Sequence, residues 1–100
     1  MLFRSAPDVV AEVSRRRKEE SHLALAHLYA LWDHHGPAVA EFEAAARHSA
    51  EPRVRAGLLA DAASAARRAG DPAAAHRLEE RARAILDGQG PIAPRRRGLE

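Results

Sequence analysis

Apolar positions recur at spacings of three and four along most of the chain, the period of helices that bury one side. Val9, Val10 and Val13 open the pattern. It lapses over the charged residues 15–20 and resumes with Leu25, Leu28 and Trp32, flanked by Tyr29 and Leu31. This second stripe is the most apolar of the chain and is expected to face the core. Val39, Phe42 and Ala46 follow, then Val54, Leu58, Leu59, Ala62 and Ala66, then Ala75, Leu78, Ala82 and Ile85. No stretch alternates with period two, so strands are not expected.

The breaks between stripes carry helix-end chemistry. Ser5, Pro7 and Asp8 form a helix start, with Ser5 as cap and Pro7 in the first turn. The lapse before Ser21 places a boundary near Glu20. Because no Gly or Pro intervenes, one continuous helix over about residues 7–34 is the alternative. His35-Gly36-Pro37 reads as a turn in which Gly36 stops one helix and Pro37 opens the next. Glu51-Pro52 marks a further boundary. At Ala69-Gly70-Asp71-Pro72, Gly70 suits the left-handed residue that ends a helix, Asp71 the cap and Pro72 the first turn of the next. The result is an all-α domain of antiparallel helix–turn–helix pairs over residues 1–87. Residues 88–100 are dense in Gly, Pro and Arg and are expected to be a flexible tail.

Composition agrees with helix and limits the core. Hydrophobic residues make up 46% of the 100, but 24 of them are alanine. Alanine favours helix and offers little apolar area to bury. Either modest stability or extra burial through a protein partner or a second copy is therefore expected, an isologous homodimer being the commonest form of the latter.

The absence of cysteine removes disulfides, thiol catalysis and cysteine-based metal sites. No run is long and apolar enough for a membrane span, and Arg4 follows Met1-Leu2-Phe3 without an apolar signal core. These features predict a cytoplasmic protein without a membrane partner. The formal charge is only +2, with acids and bases interspersed, unlike the one-sided basic excess of a dedicated nucleic-acid binder.

Gly36 and Gly70 are 34 residues apart, the period of tetratricopeptide repeats. At that offset Leu25 aligns with Leu59, Leu28 with Ala62, Tyr29 with Ala63 and Trp32 with Ala66, while Val39, Phe42 and Ala46 match Ala75, Leu78 and Ala82 only at 36. Residues 22–86 thus resemble about two tetratricopeptide-like repeats preceded by one helix. The segment from Ala69 to Leu86 is similar to degenerate repeats attached to actinobacterial regulators, and an excess of fifteen Arg over one Lys suits a GC-rich bacterial genome. The resemblance implies a protein- or peptide-binding adaptor whose groove is lined by the first helix of each unit. Leu23, Ala26, His27, Ala30, Asp33 and His34 would come from the first unit, and Gly57, Ala60, Asp61, Ser64, Arg67 and Arg68 from the second. The polar candidates for partner contact are His27, Asp33, His34, Ser64, Arg67 and Arg68. The Lys, Asn and Arg clamp that grips a C-terminal carboxylate in the best-known members is missing, since Ala26, His27, Ala30, Gly57 and Asp61 stand at those positions.

Other chemistry is poorly supplied. Glu20, His27 and His34 share a helix face but would extend over about 21 Å, too far for one ion. Neither a nucleophile elbow nor a phosphate loop is present. No metal, cofactor or enzymatic activity is expected. The alternative function is a small basic accessory protein that binds nucleic acid through Arg15, Arg16, Arg17 and Lys18, with Arg95, Arg96 and Arg97. Consecutive charges on a helix point all round it, however, and make a poor one-sided patch.

Overall fold

The computed structural model describes residues 6–88. They form four helices: α1 (Ala6–Leu31), α2 (His35–His48), α3 (Pro52–Arg68) and α4 (Pro72–Gly88). Among the described residues there is no strand, and no helix is long and apolar enough to cross a membrane. Ser5 and residues 89–100, which hold most of the expected tail, lie outside the described residues.

The boundary expected near Glu20 does not occur. α1 runs unbroken through it because residues 15–20 are good helix formers, and a lapse in the apolar stripe removes packing without disturbing the backbone ladder. Arg15 and Arg16 both pair with Glu12 one turn earlier, which supports the helix locally.

The turn after α1 also differs from expectation. Asp33, not Gly36, takes the left-handed conformation, at φ 61°. The Asp33 N–H donates to the Ala30 carbonyl at 3.1 Å, and the His34 N–H donates to the Tyr29 carbonyl at 2.8 Å. These two bonds make a Schellman ending. Gly36 and Pro37 then sit inside the first turn of α2, where backbone N–H groups have no helical partner and Pro is tolerated.

The second turn repeats this pattern. Gly70 has φ 83°, its N–H donates to Arg67, and the Asp71 N–H donates to Ala66. Asp71 caps α4 by accepting from the Ala74 N–H at 3.1 Å. Asp33 and His34 thus correspond to Gly70 and Asp71, so the two helix pairs superpose at an offset of 37 residues and not 34. The buried pairs Ala26 and Ala63, Ala38 and Ala75, and Ala45 and Ala82 obey the same offset.

Packing runs mainly between helices successive in the chain: α1 on α2, α2 on α3, and α3 on α4. The molecule is an open array with α1 and α4 at its ends. Among the described residues, the buried hydrophobic side chains larger than alanine are Phe42, Leu58, Leu59 and Leu78. Alanine at the contacts lets helix axes approach closely. Phe42, Ala46, Leu58, Leu59, Ala62, Ala66, Ala75, Leu78 and Ala82 are buried as their periodicity predicts, whereas Val54 is exposed.

The apolar stripe of α1 is the main reversal. Trp32 is 60% exposed and Leu31 75%, and Leu25 and Leu28 are nearly half exposed. The helix instead turns Ala26, at 0%, to the core, with Leu23, Tyr29 and Ala30 packed beside it. An end helix has one neighbour, and the smaller face of α1 meets it.

Candidate functional site

A cleft of about 350 Å³ opens where α1 and α3 diverge above α2. α1 supplies His27 and Ala30, α2 supplies His35 and Phe42, and α3 supplies Asp61, Ser64, Ala65 and Arg68. The α3 set recurs at spacings of three and four, so one helix face presents an acid, a hydroxyl and a guanidinium in line. Phe42 forms the apolar floor, and the His27 ring meets it edge-on at 5.5 Å.

His35 has a distinctive place in this cleft. Its Nδ1 is buried without a hydrogen-bond partner among the described residues. Its Nε2 lies 3.5 Å from Asp33 Oδ1, in the turn that holds Asp33 at positive φ. A buried polar atom without a partner is costly to the fold.

The structure therefore brings His27, Ser64 and Arg68 together, along with Ala30 and Asp61. It separates Asp33, His34 and Arg67 from them. Asp33 is spent on the turn, and His34 is the N-cap residue of α2, stacked on Tyr29 at 6.3 Å. Arg67 turns to α4 and holds Glu79 in a bidentate pair, one arm of which measures 2.7 Å. The Glu79 hydrogen bond raises the Arg67 pKa, and the Arg67 hydrogen bond lowers that of Glu79. His35 and Phe42 were missed because the repeat alignment assigned the groove to first helices alone, whereas both residues come from α2.

The basic residues of α1 do not form one face. Arg15 and Arg16 are occupied by Glu12, while Arg17 and Lys18 extend into solvent. Arg95, Arg96 and Arg97 lie outside the described residues. A different set of arginines converges elsewhere: Arg47, Arg55 and Arg81 line a second cleft with Ala46, Leu59 and Ile85. There Arg81 donates to Glu43 at 2.9 Å.

Two further histidines meet on the α1–α2 contact. His22 and His48 stack at 5.5 Å with planes 4° apart, and His22 Nδ1 lies 2.6 Å from Glu41 Oε1. Partial burial, then the charges of His22, Lys18 and Arg47, lower the pKa of His48. Among the described residues no three His, Asp or Glu side chains are placed to hold a metal ion.

No protein-family model, curated protein or solved structure matches the chain.

Proposed function

We propose that this chain is a non-catalytic protein-interaction module that takes a short peptide segment into the cleft between α1 and α3. The observation that carries the proposal is the convergence of Arg68, His27, Ser64 and Asp61 on a cleft floored by Phe42. An apolar floor with a few convergent polar groups is the general form of a binding site. Arg68 favours a carboxylate on the ligand, and Phe42 with Ala30 and Ala65 favours an apolar neighbour to it. The expected ligand is thus a peptide with an acidic side chain beside an apolar one.

The helix-pair architecture supports an adaptor role. The offset of 37 departs from the tetratricopeptide period, so the resemblance to that family rests mainly on the second unit, and within it on the segment from Ala69 to Leu86. A cytoplasmic adaptor fits this reading. The nucleic-acid alternative has less support, because Arg15, Arg16, Arg67, Arg81 and Arg83 are each engaged by a carboxylate of this chain.

The test is selection from a displayed library of short random peptides, followed by fluorescence anisotropy with the enriched sequences. Arg68→Glu and Ser64→Arg alter exposed cleft positions and should each abolish binding, whereas Arg77→Glu on α4 should not. Enriched peptides that bind all three variants equally would refute the cleft assignment.

A further inference from the structure

The two ends of the array are chemically unlike. The outward face of α4 carries His76, Arg77, Glu80, Arg83 and Asp87, all exposed, with the small Ala73 and Ala84 among them and Leu86 at its edge. That is the polar surface that finishes a stack of helices. The outward face of α1 carries Ser21, Ala24, Leu25, Leu28, Leu31 and Trp32, without a charge.

The offset of 37 identifies this face. α3 lies between two helices and is buried on two faces: Ala56, Leu59, Ala63 and Ala66 on one, and Leu58, Ala62 and Ala65 on the other. The counterparts of the first face are Glu19, His22, Ala26 and Tyr29, which α1 buries wholly or in part. The counterparts of the second are Ser21, Leu25 and Leu28, which are exposed. α1 therefore carries the full two-sided pattern of an internal helix while lacking a second neighbour among the described helices.

We infer that the second neighbour is α1 of another copy of this chain, packed antiparallel about a two-fold axis between Leu25 and Leu28. Three observations select this occupant. The outer face of α4, with five charged or titratable side chains, matches the uncharged α1 stripe poorly, so head-to-tail stacking is disfavoured and an isologous contact is favoured. The stripe is self-complementary in size, because an antiparallel two-fold sets Trp32 of each copy over the small Ser21 of the other. It is also self-complementary in charge. Arg17, exposed and without an ion pair among the described residues, comes to the Trp32 and Asp33 end of the second copy. A parallel pair would oppose Arg17 to itself.

The area fits a modest dimer. At 41–75% exposure, Leu25, Leu28, Leu31 and Trp32 leave roughly 400 Å² of apolar surface open, the size of the largest apolar patch on an ordinary monomer and one that is often functional. That is about half of what one partner buries in an interface of standard size, so the dimer is expected to be weak and concentration-dependent.

Trp32 is the only tryptophan, so the contact reports on itself. The experiment is sedimentation equilibrium of the full chain over a concentration series, with tryptophan emission and acrylamide quenching on the same samples. Expected is a mass rising to twice that of the chain, with Trp32 emission shifting to the blue and quenching falling in step. Leu28→Glu should keep the protein monomeric and Trp32 quenchable at all concentrations. If Leu28→Glu loses helical signal, Ser21→Arg decides the question: it changes an exposed position and fills the seat of Trp32. A monomer at every concentration overturns the inference, as does an open-ended polymer. A monomer with shielded Trp32 also overturns it, and assigns the stripe to residues 1–5 or 89–100 of the same chain. A dimer that survives both substitutions places the contact elsewhere.

Discussion

The equivalence of the two turns can be tested by exchanging their left-handed residues. Gly70 holds φ 83°, and a Cβ built there would meet nothing within 4 Å. Gly70→Ala should therefore cost no contact, and its whole effect is conformational. Placing an L-residue in the left-handed region costs roughly 1–2 kcal/mol. The lower entropy of the unfolded alanine chain offsets about 0.4–1 kcal/mol of that. A net loss of about 1 kcal/mol follows, or a fall of about 4–8 °C in Tm for a domain of this size. At the equivalent position Asp33 already bears φ 61°, in a residue type that tolerates it better than most. Asp33→Gly relieves that strain and frees the unfolded chain, so its net effect should be within about 0.5 kcal/mol of zero. Urea and thermal unfolding by far-UV circular dichroism give both values. Gly70→Ala with an unchanged midpoint would refute the conformational account of the second turn. Asp33→Gly losing more than about 1 kcal/mol would show that the Asp33 carboxylate, through His35, matters more than its backbone.

Two further predictions concern the core and the pH response. Phe42→Ala removes a buried ring from an alanine-rich core and should cost about 3–5 kcal/mol, whereas Trp32→Ala, measured where the chain is monomeric, should cost under about 1 kcal/mol; equal losses in urea titrations would place Trp32 in the core after all. The pKa of His48 is lowered in the folded chain, so the unfolded chain binds more protons near and below the ordinary histidine range, and stability should fall as pH drops through it. His48→Gln should flatten that part of the stability–pH curve, and a wild-type curve with no slope there would contradict the packing of His48 against His22.

The helices were legible because their signals are local. Gly70, Asp71 and Pro72 state a turn in three adjacent residues, and Phe42, Leu58, Leu59 and Leu78 occupy the buried positions their spacing assigns. The first turn was misread because Gly36-Pro37 carries the usual punctuation, yet both residues fit the first turn of α2 as well as they fit a loop. Asp33 gave no comparable sign, although it does the work that Gly70 does, and the period was consequently read as 34. The stripe of Leu25, Leu28 and Trp32 is a packing face by its pattern, but pattern does not disclose whether a neighbour exists. Of the cleft, the α3 residues Asp61, Ser64 and Arg68 and the α1 residues His27 and Ala30 were named through the family resemblance and its repeat alignment. Arg67 and Arg68 could not be told apart from sequence, since adjacent residues diverge by about 100° on a helix and only the place of Glu79 decides which one turns away.

The alanines at the helix contacts have a consequence for how the array responds to load. Ala26, Ala38, Ala45, Ala63 and Ala75 have no χ rotamers to change. A leucine-packed interface can absorb a shift by switching rotamers, but these contacts can only slide or separate. Where these alanines meet, the spacing between helices is limited by backbone against methyl, so the width of the cleft between α1 and α3 depends on the smallest side chains of the core as well as on Phe42. Enlarging one of them by a methylene or two would act as a shim: the helices would spread, and the cleft would change its aperture without any of its lining residues being touched.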